Sequence, residues 1–186
     1  MKYILILVMA AAFSVSSFSQ ELSKKEQRKL EKQFRKEQKA EEEARRAELV
    51  QLMVHHRRFV LEANQLRDKR GNTVNVQSLI NFVAIDSTRG VLQIGSNSYV
   101  GLNGVGGITV EGNVSNYQSS HNEKNGTYNV SYILMTTSGT YDVHMVIFSN
   151  GGAEATIGSA WPGKLNYIGR LVPPAVSKVY KGSPRY

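Results

Sequence analysis

The sequence predicts a mainly β protein, an antiparallel meander curled into a small barrel or a sandwich and preceded by a charged N-terminal α-helix. Three observations carry that prediction. From Arg58 onward, short runs of strand-forming residues alternate with turn chemistry such as Asp86-Ser87-Thr88-Arg89-Gly90, Asn122-Glu123-Lys124-Asn125-Gly126 and Asn150-Gly151. The connections are short and sequential, which favours antiparallel neighbours over crossovers. Ahead of that region, Glu21 to about Arg46 contains no Gly or Pro and is built almost wholly from strong helix formers.

Taken in order, residues 1–19 open with Lys2, continue through the apolar run Tyr3 to Val15 and end on the small-residue pattern Ser17-Phe18-Ser19. This is the layout of a secretory signal peptide, with an apolar core too short to span a bilayer as a helix. The chain has no cysteine, so disulfides, thiolate metal sites and a bacterial lipid-anchor acceptor are all excluded. The expectation is an exported protein, periplasmic or on the cell surface, with no membrane span after removal of the leader.

Residues 20–57 are expected to form a charged helical arm. Glu31 with Arg35, Glu41 with Arg45 and Glu42 with Arg46 are acid-before-base pairs at i,i+4. Leu22, Leu30 and Phe34 are too sparse to sustain a coiled-coil seam. From Ala47 the helix turns apolar through Leu49, Val50, Leu52, Met53 and Val54, and this end is expected to dock on the domain that follows. His55 and His56 are adjacent and so do not share a helix face; a basic cluster at the helix C-terminus explains them better than a chelating pair.

Residues 58–186 form the expected β domain. Phe59, Leu61 and Ala63 alternate with Val60 and Glu62, and Asp68 to Asn72 supplies the first turn. Strands follow at Asn81 to Asp86, Gly90 to Gly95, Ile108 to about Ser119, Thr127 to Thr136, Thr140 to Ser149, Ala153 to Gly158 and Lys164 to Val172. In the central pair, Tyr128, Val130, Tyr132 and Leu134 share one face, and Tyr141, Val143, Met145 and Ile147 share one face of the partner. These two rows are the predicted core. A single open sheet of so many strands would leave edges exposed, hence the expected curl.

The formal net charge is +8. Lysines and glutamates are interleaved along the arm, and the β region is only mildly basic, so neither a nucleic-acid partner nor a basic membrane-surface helix is indicated.

Several blocks of the β region look like a known family. Arg57-Arg58-Phe59-Val60-Leu61-Glu62-Ala63, Leu79-Ile80-Asn81-Phe82-Val83, Leu92-Gln93-Ile94-Gly95-Ser96, Asn103 to Gly112, Gly169-Arg170-Leu171-Val172-Pro173 and the closing Val179-Tyr180-Lys181-Gly182 resemble a family of exported proteins from Bacteroidetes, domain-of-unknown-function family 4251. The resemblance covers roughly Leu49 to Lys181. It implies a periplasmic or cell-surface β domain and supplies no activity.

The candidate sites are few. Between Gly95 and Gly112 six glycines interrupt two strand runs, which marks either a tight bend or a ligand mouth. Asn103-Gly104-Val105-Gly106-Gly107 lacks the Lys-Ser/Thr of a phosphate loop, and a strand rather than a helix follows it. If the segment lines a ligand, Tyr99, Asn103 and the backbone amides at Gly104, Gly106 and Gly107 are the binding groups. Asp142 and His144 share the strand face opposite the tyrosine row, and a carboxylate beside an imidazole can orient a base, but no nucleophile motif accompanies them. His121 is expected in an exposed turn. No histidine spacing suits a metal and no cofactor motif occurs. The leading expectation is a non-enzymatic module that binds a ligand or envelope component. An envelope hydrolase acting on glycan or peptide and a purely structural envelope protein are the alternatives.

Overall fold

The computed structural model of the chain describes residues 24–96, 103–159 and 164–184. The leader and Tyr99 lie outside the described residues. One helix, α1 (Lys24–His56), precedes nine strands: β1 (Arg58–Asp68), β2 (Thr73–Asn75), β3 (Phe82–Asp86), β4 (Arg89–Ile94), β5 (Ile108–Asn122), β6 (Thr127–Thr136), β7 (Gly139–Phe148), β8 (Gly152–Ser159) and β9 (Lys164–Val172). The chain divides into two compact units between Glu41 and Glu42. The described residues of the first are helical, and Leu30 and Phe34 are exposed there.

In the second unit the last turns of α1 are anchored through Val50, Met53 and Val54. Their i, i+3, i+4 spacing puts all three on one face. Leu49 and Leu52, expected to dock with them, fall on the other side and are exposed. The helix ends at Arg57, which adopts a left-handed conformation (φ 54°) usually reserved for glycine. Three contacts hold it there. Its N–H donates to the Val54 carbonyl, its carbonyl accepts from Ser87 N–H at 2.8 Å, and its guanidinium lies 4.8 Å from the Tyr117 ring centre.

All strand pairings are antiparallel. From β3 to β9 each strand pairs with the next, β3 also pairs with β1, and β9 closes the circle against β1 over Val60–Asp68. The result is an eight-stranded closed barrel, with β2 attached to β1 beyond the reach of β3. Closure, and not a sandwich, is how this chain disposes of its sheet edges. The turn at Asn150-Gly151 and the links at Ser87-Thr88 and Thr137-Ser138 fall where the sequence places them. His121 differs: it is the penultimate residue of β5, exposed and stacked on Tyr128 at 4.4 Å, because β5 continues three residues past Ser119.

Six of the eight residues predicted for the interior are buried, while Tyr128 and Tyr141 are half-buried and pack against the core from its margins. Val130, Tyr132, Leu134, Val143, Met145 and Ile147 are buried, with Tyr132 opposite Val143 and Val130 opposite Met145. Phe59, Leu61 and Ala63 of β1 and Val83 and Ile85 of β3 complete the other wall. The turn at residues 150–151 lies at the helix end, where the Arg46 guanidinium reaches the Asn150 carbonyl. The opposite end is the mouth, where β4 leads into β5 and β8 into β9.

Candidate functional site

Three places could do chemistry: the glycine-rich segment, the outer face carrying His144, and the mouth of the barrel.

The glycine-rich segment is a brace. Asn103 is buried; its side-chain oxygen accepts from the N–H groups of Val105 and Gly107, and its amide nitrogen donates to Thr109 Oγ1 at 3.0 Å. Gly104 and Gly106 take positive φ (77° and 70°) inside that loop. At Gly107 an added Cβ would run into the Ile94 carbonyl oxygen, so glycine is required for close approach. Thr109 Oγ1 in turn donates to Gln93 Oε1, which also accepts from Gly182 N–H, while Gln93 Nε2 donates to the carbonyls of Ile80 and Tyr180.

Gln93 therefore holds the C-terminal tail down as a strap across the outside of the barrel. Tyr180 N–H donating to the Leu79 carbonyl, Ser183 N–H to the Asn103 carbonyl, Ser177 Oγ to Glu62 and the Lys181–Glu111 pair extend the strap over β1 to β5. Asn103, Gly104, Gly106 and Gly107 are thus assembled with one another, but as structure. Gln93 is the residue the sequence reading missed. Strand alternation puts it outside, opposite to Leu92 and Ile94, where a glutamine ordinarily meets water.

Asp142 and His144 are exposed on the outer face of β7, and among the described residues neither makes an ion pair or a side-chain hydrogen bond. His144 borders a broad concavity of about 600 Å³, of mixed polar and apolar lining, with Gln118, Ser120, Asn129, Val146, Glu154 and Thr156. Glu154 is already engaged by Arg67 at 3.2 Å and Asn166 at 2.9 Å. Glu62, Asp86 and Glu111 are likewise engaged, by Ser177, Arg58, and Arg89 with Lys181. Each of these carboxylates is tied to a donor, and among the described residues Glu154 is the one acid that lines the concavity. No cluster of three or more metal-ligating side chains occurs among the described residues.

The mouth is different. Leu92 and Ile94 of β4, Ile108 and Val110 of β5, Tyr141 of β7, Ile157 of β8 and Leu165 and Tyr167 of β9 line a cavity of about 180 Å³. Inward alternation on five strands puts them there. The Tyr167 hydroxyl is spent on the Gln93 carbonyl at 3.2 Å, and burial pushes its pKa far above the ordinary range. The half-buried Tyr141 hydroxyl has no hydrogen-bond partner among the described residues. An apolar well with one free hydroxyl can take a hydrocarbon group and orient it by a single hydrogen bond. Among the described residues, Ile108 and Val110 are what the Gly95–Gly112 stretch contributes to this lining, while Asn103 to Gly107, Asp142 and His144 stand outside it.

The fold and this site define a small closed up-and-down barrel with an apolar mouth and a helix docked at the other end. The family profile described as "Domain of unknown function (DUF4251)" matches residues 37–171, and the chain belongs to that family. A crystal structure of a DUF4251 family protein from Bacteroides eggerthii is similar, with 30% sequence identity, a TM-score of 0.61, and coverage of 71% of this chain and 90% of that one. No curated protein matches the chain. Among the described residues no helix is long and apolar enough to cross a membrane.

Proposed function

We propose that this protein is an exported, non-enzymatic binding module that takes a small apolar group into the barrel mouth. The observation that carries the reading is the 180 Å³ well lined by six aliphatic side chains and two tyrosines. Eight-stranded barrels of this kind have interiors just wide enough to be filled by side chains or to hold one small ligand. An engineered apolar cavity of about 150 Å³ binds benzene, whereas drug-sized ligands occupy about 300 Å³ or more. The ligand is therefore a single ring or a short alkyl group, or the end of a larger molecule. At ~0.8 kcal/mol per buried CH₂, a four-carbon group gains ~3 kcal/mol, which corresponds to millimolar affinity.

Export is supported by Lys2, the apolar run Tyr3 to Val15 and the Ser17-Phe18-Ser19 pattern, and a mature N-terminus at or near Gln20 in the envelope fraction is the corresponding result. For the mouth, the test is methyl NMR with toluene at millimolar concentration. Methyls of Ile94, Ile157 and Leu165 shift, and Ile108→Trp, which sets an indole at the rim, abolishes the shifts. Unmoved methyls in the unaltered protein would sink the reading.

A further inference from the structure

The barrel is closed, but β5 runs on past the strand that flanks it. β4 accompanies β5 only from Ile108 to Asn113, and just beyond it Val114 N–H donates to the Thr88 carbonyl. Between Ser115 and Gln118 the β5–β6 register shifts at a bulge, with Asn116 at φ 52°. Past that bulge, Gln118–Asn122 pairs on one side with β6, and no described strand lies on the other. All five residues are exposed, although their side chains alternate between the two faces. A strand whose other margin is open presents a row of backbone donors and acceptors ready for another strand.

Natural edges are usually guarded by Lys, Pro or inward-pointing charge. This one is not. Asn113 to Asn122 contains no charged residue and no proline, in a chain with a formal charge of +8. The bulge sits before the open stretch and leaves the five residues after it in regular pairing with β6.

We propose that this margin is a homodimer interface, in which two copies join antiparallel, β5 to β5, about a twofold axis at Ser120. Three features select a second copy over a foreign strand. With the axis at Ser120, self-pairing sets Ser120 against its own copy, Ser119 against His121 and Gln118 against Asn122, so no like charges meet. The surface charges that make two copies repel lie outside the joined segment. The same segment is offered by both partners, so the contact is isologous and stops at two, whereas pairing with an unlike edge would propagate. The other open strand, three-residue β2, is too short to compete. This inference does not depend on the mouth binding a ligand.

The absence of native cysteine makes the test clean. Single cysteines at Gln118, Ser119, Ser120 and His121, each exposed, are introduced into the protein as the cell makes it, with Val74→Cys on β2 as an equally exposed control. Sedimentation from micromolar to submillimolar concentration is expected to show a monomer–dimer equilibrium. Mild oxidation is expected to give a disulfide dimer at the position nearest the axis and little at Val74→Cys. The pair Ser119→Lys with Ser120→Lys, which brings four ammonium groups together, is expected to weaken the dimer at least about tenfold with an unchanged thermal midpoint of the isolated monomer. A protein that stays monomeric throughout and cross-links no better along β5 than at Val74→Cys would overturn the proposal. So would a dimer that the lysine pair leaves intact.

Discussion

Single residues decide whether the polar groups of this barrel are assets or liabilities. Gln93 is fully buried and makes four side-chain hydrogen bonds, to Ile80, Thr109, Tyr180 and Gly182. Gln93→Leu keeps the volume and strands all four partners, so it should destabilise the protein by about 2–4 kcal/mol, an effect set by the groups left unpaired more than by the bonds lost. Urea unfolding checks the magnitude. Tyr132 is the opposite case. Its hydroxyl is buried and, among the described residues, has no hydrogen-bond partner, and burial drives its pKa far up. Tyr132→Phe removes only that hydroxyl, so it should leave the protein as stable or more stable by about 1 kcal/mol. A loss of stability in urea would show that the hydroxyl is satisfied by a group inside the barrel.

At the scale of elements, legibility followed periodicity. The paired rows on β6 and β7 were readable because strict alternation has one interpretation when half a sheet is buried. The docking face of α1 was readable only as a region, since five apolar residues in six positions do not say which three face inward. The strap was not readable at all: Pro173 to Pro184 has no strand or helix period, and its hold on the barrel depends on side chains far off in sequence. That strap carries a pH prediction. Hydrogen bonds from Lys181 and then Arg89 hold the Glu111 carboxyl below its ordinary 4.5. A depressed carboxyl contributes stability above its unfolded pKa and loses it as pH falls through the folded value. Acidification below about 4.5 should therefore loosen the tail. The partly exposed pair is worth under about 1 kcal/mol, so the change is local, seen as faster amide exchange at Gly182 and Ser183 while β6 and β7 stay protected. Glu111→Gln should reproduce it at neutral pH. The helix gives a second test: removing residues 24–41, whose described side chains are exposed, should keep the β circular dichroism, whereas Met53→Asp, which buries a charge at the docked end, should unfold the protein at moderate urea.

For the whole molecule, the barrel interior is organised by four tyrosines between its two ends. Tyr141 and Tyr167 line the mouth, Tyr132 lies deeper and stacks at 6.3 Å on Tyr117, and Tyr117 donates its hydroxyl to the Val54 carbonyl of α1 at 2.8 Å. The wall and the docked helix thus share one column of rings. Burial raises the Tyr117 pKa from 10.0 to about 12, although Arg57 pulls it down, and burial pushes Tyr132 and Tyr167 higher still. A raised tyrosine keeps its proton in the folded state after the unfolded chain has released it. The stability it contributes is complete below about pH 10 and declines as pH climbs through the folded value. Three such groups in one interior make the decline additive, and the first folded group to ionise is Tyr117 at the helix end. The expected sequence under alkali is therefore little tyrosinate absorbance from these three below pH 11, ionisation of Tyr117 near 12 with release of the α1 docking turns, and then cooperative exposure of Tyr132 and Tyr167 as the barrel opens. Tyr117→Phe should remove the first step and shift loss of the β signal to higher pH. Ionisation of Tyr117, Tyr132 and Tyr167 near pH 10 with the β signal intact would contradict the packing described here.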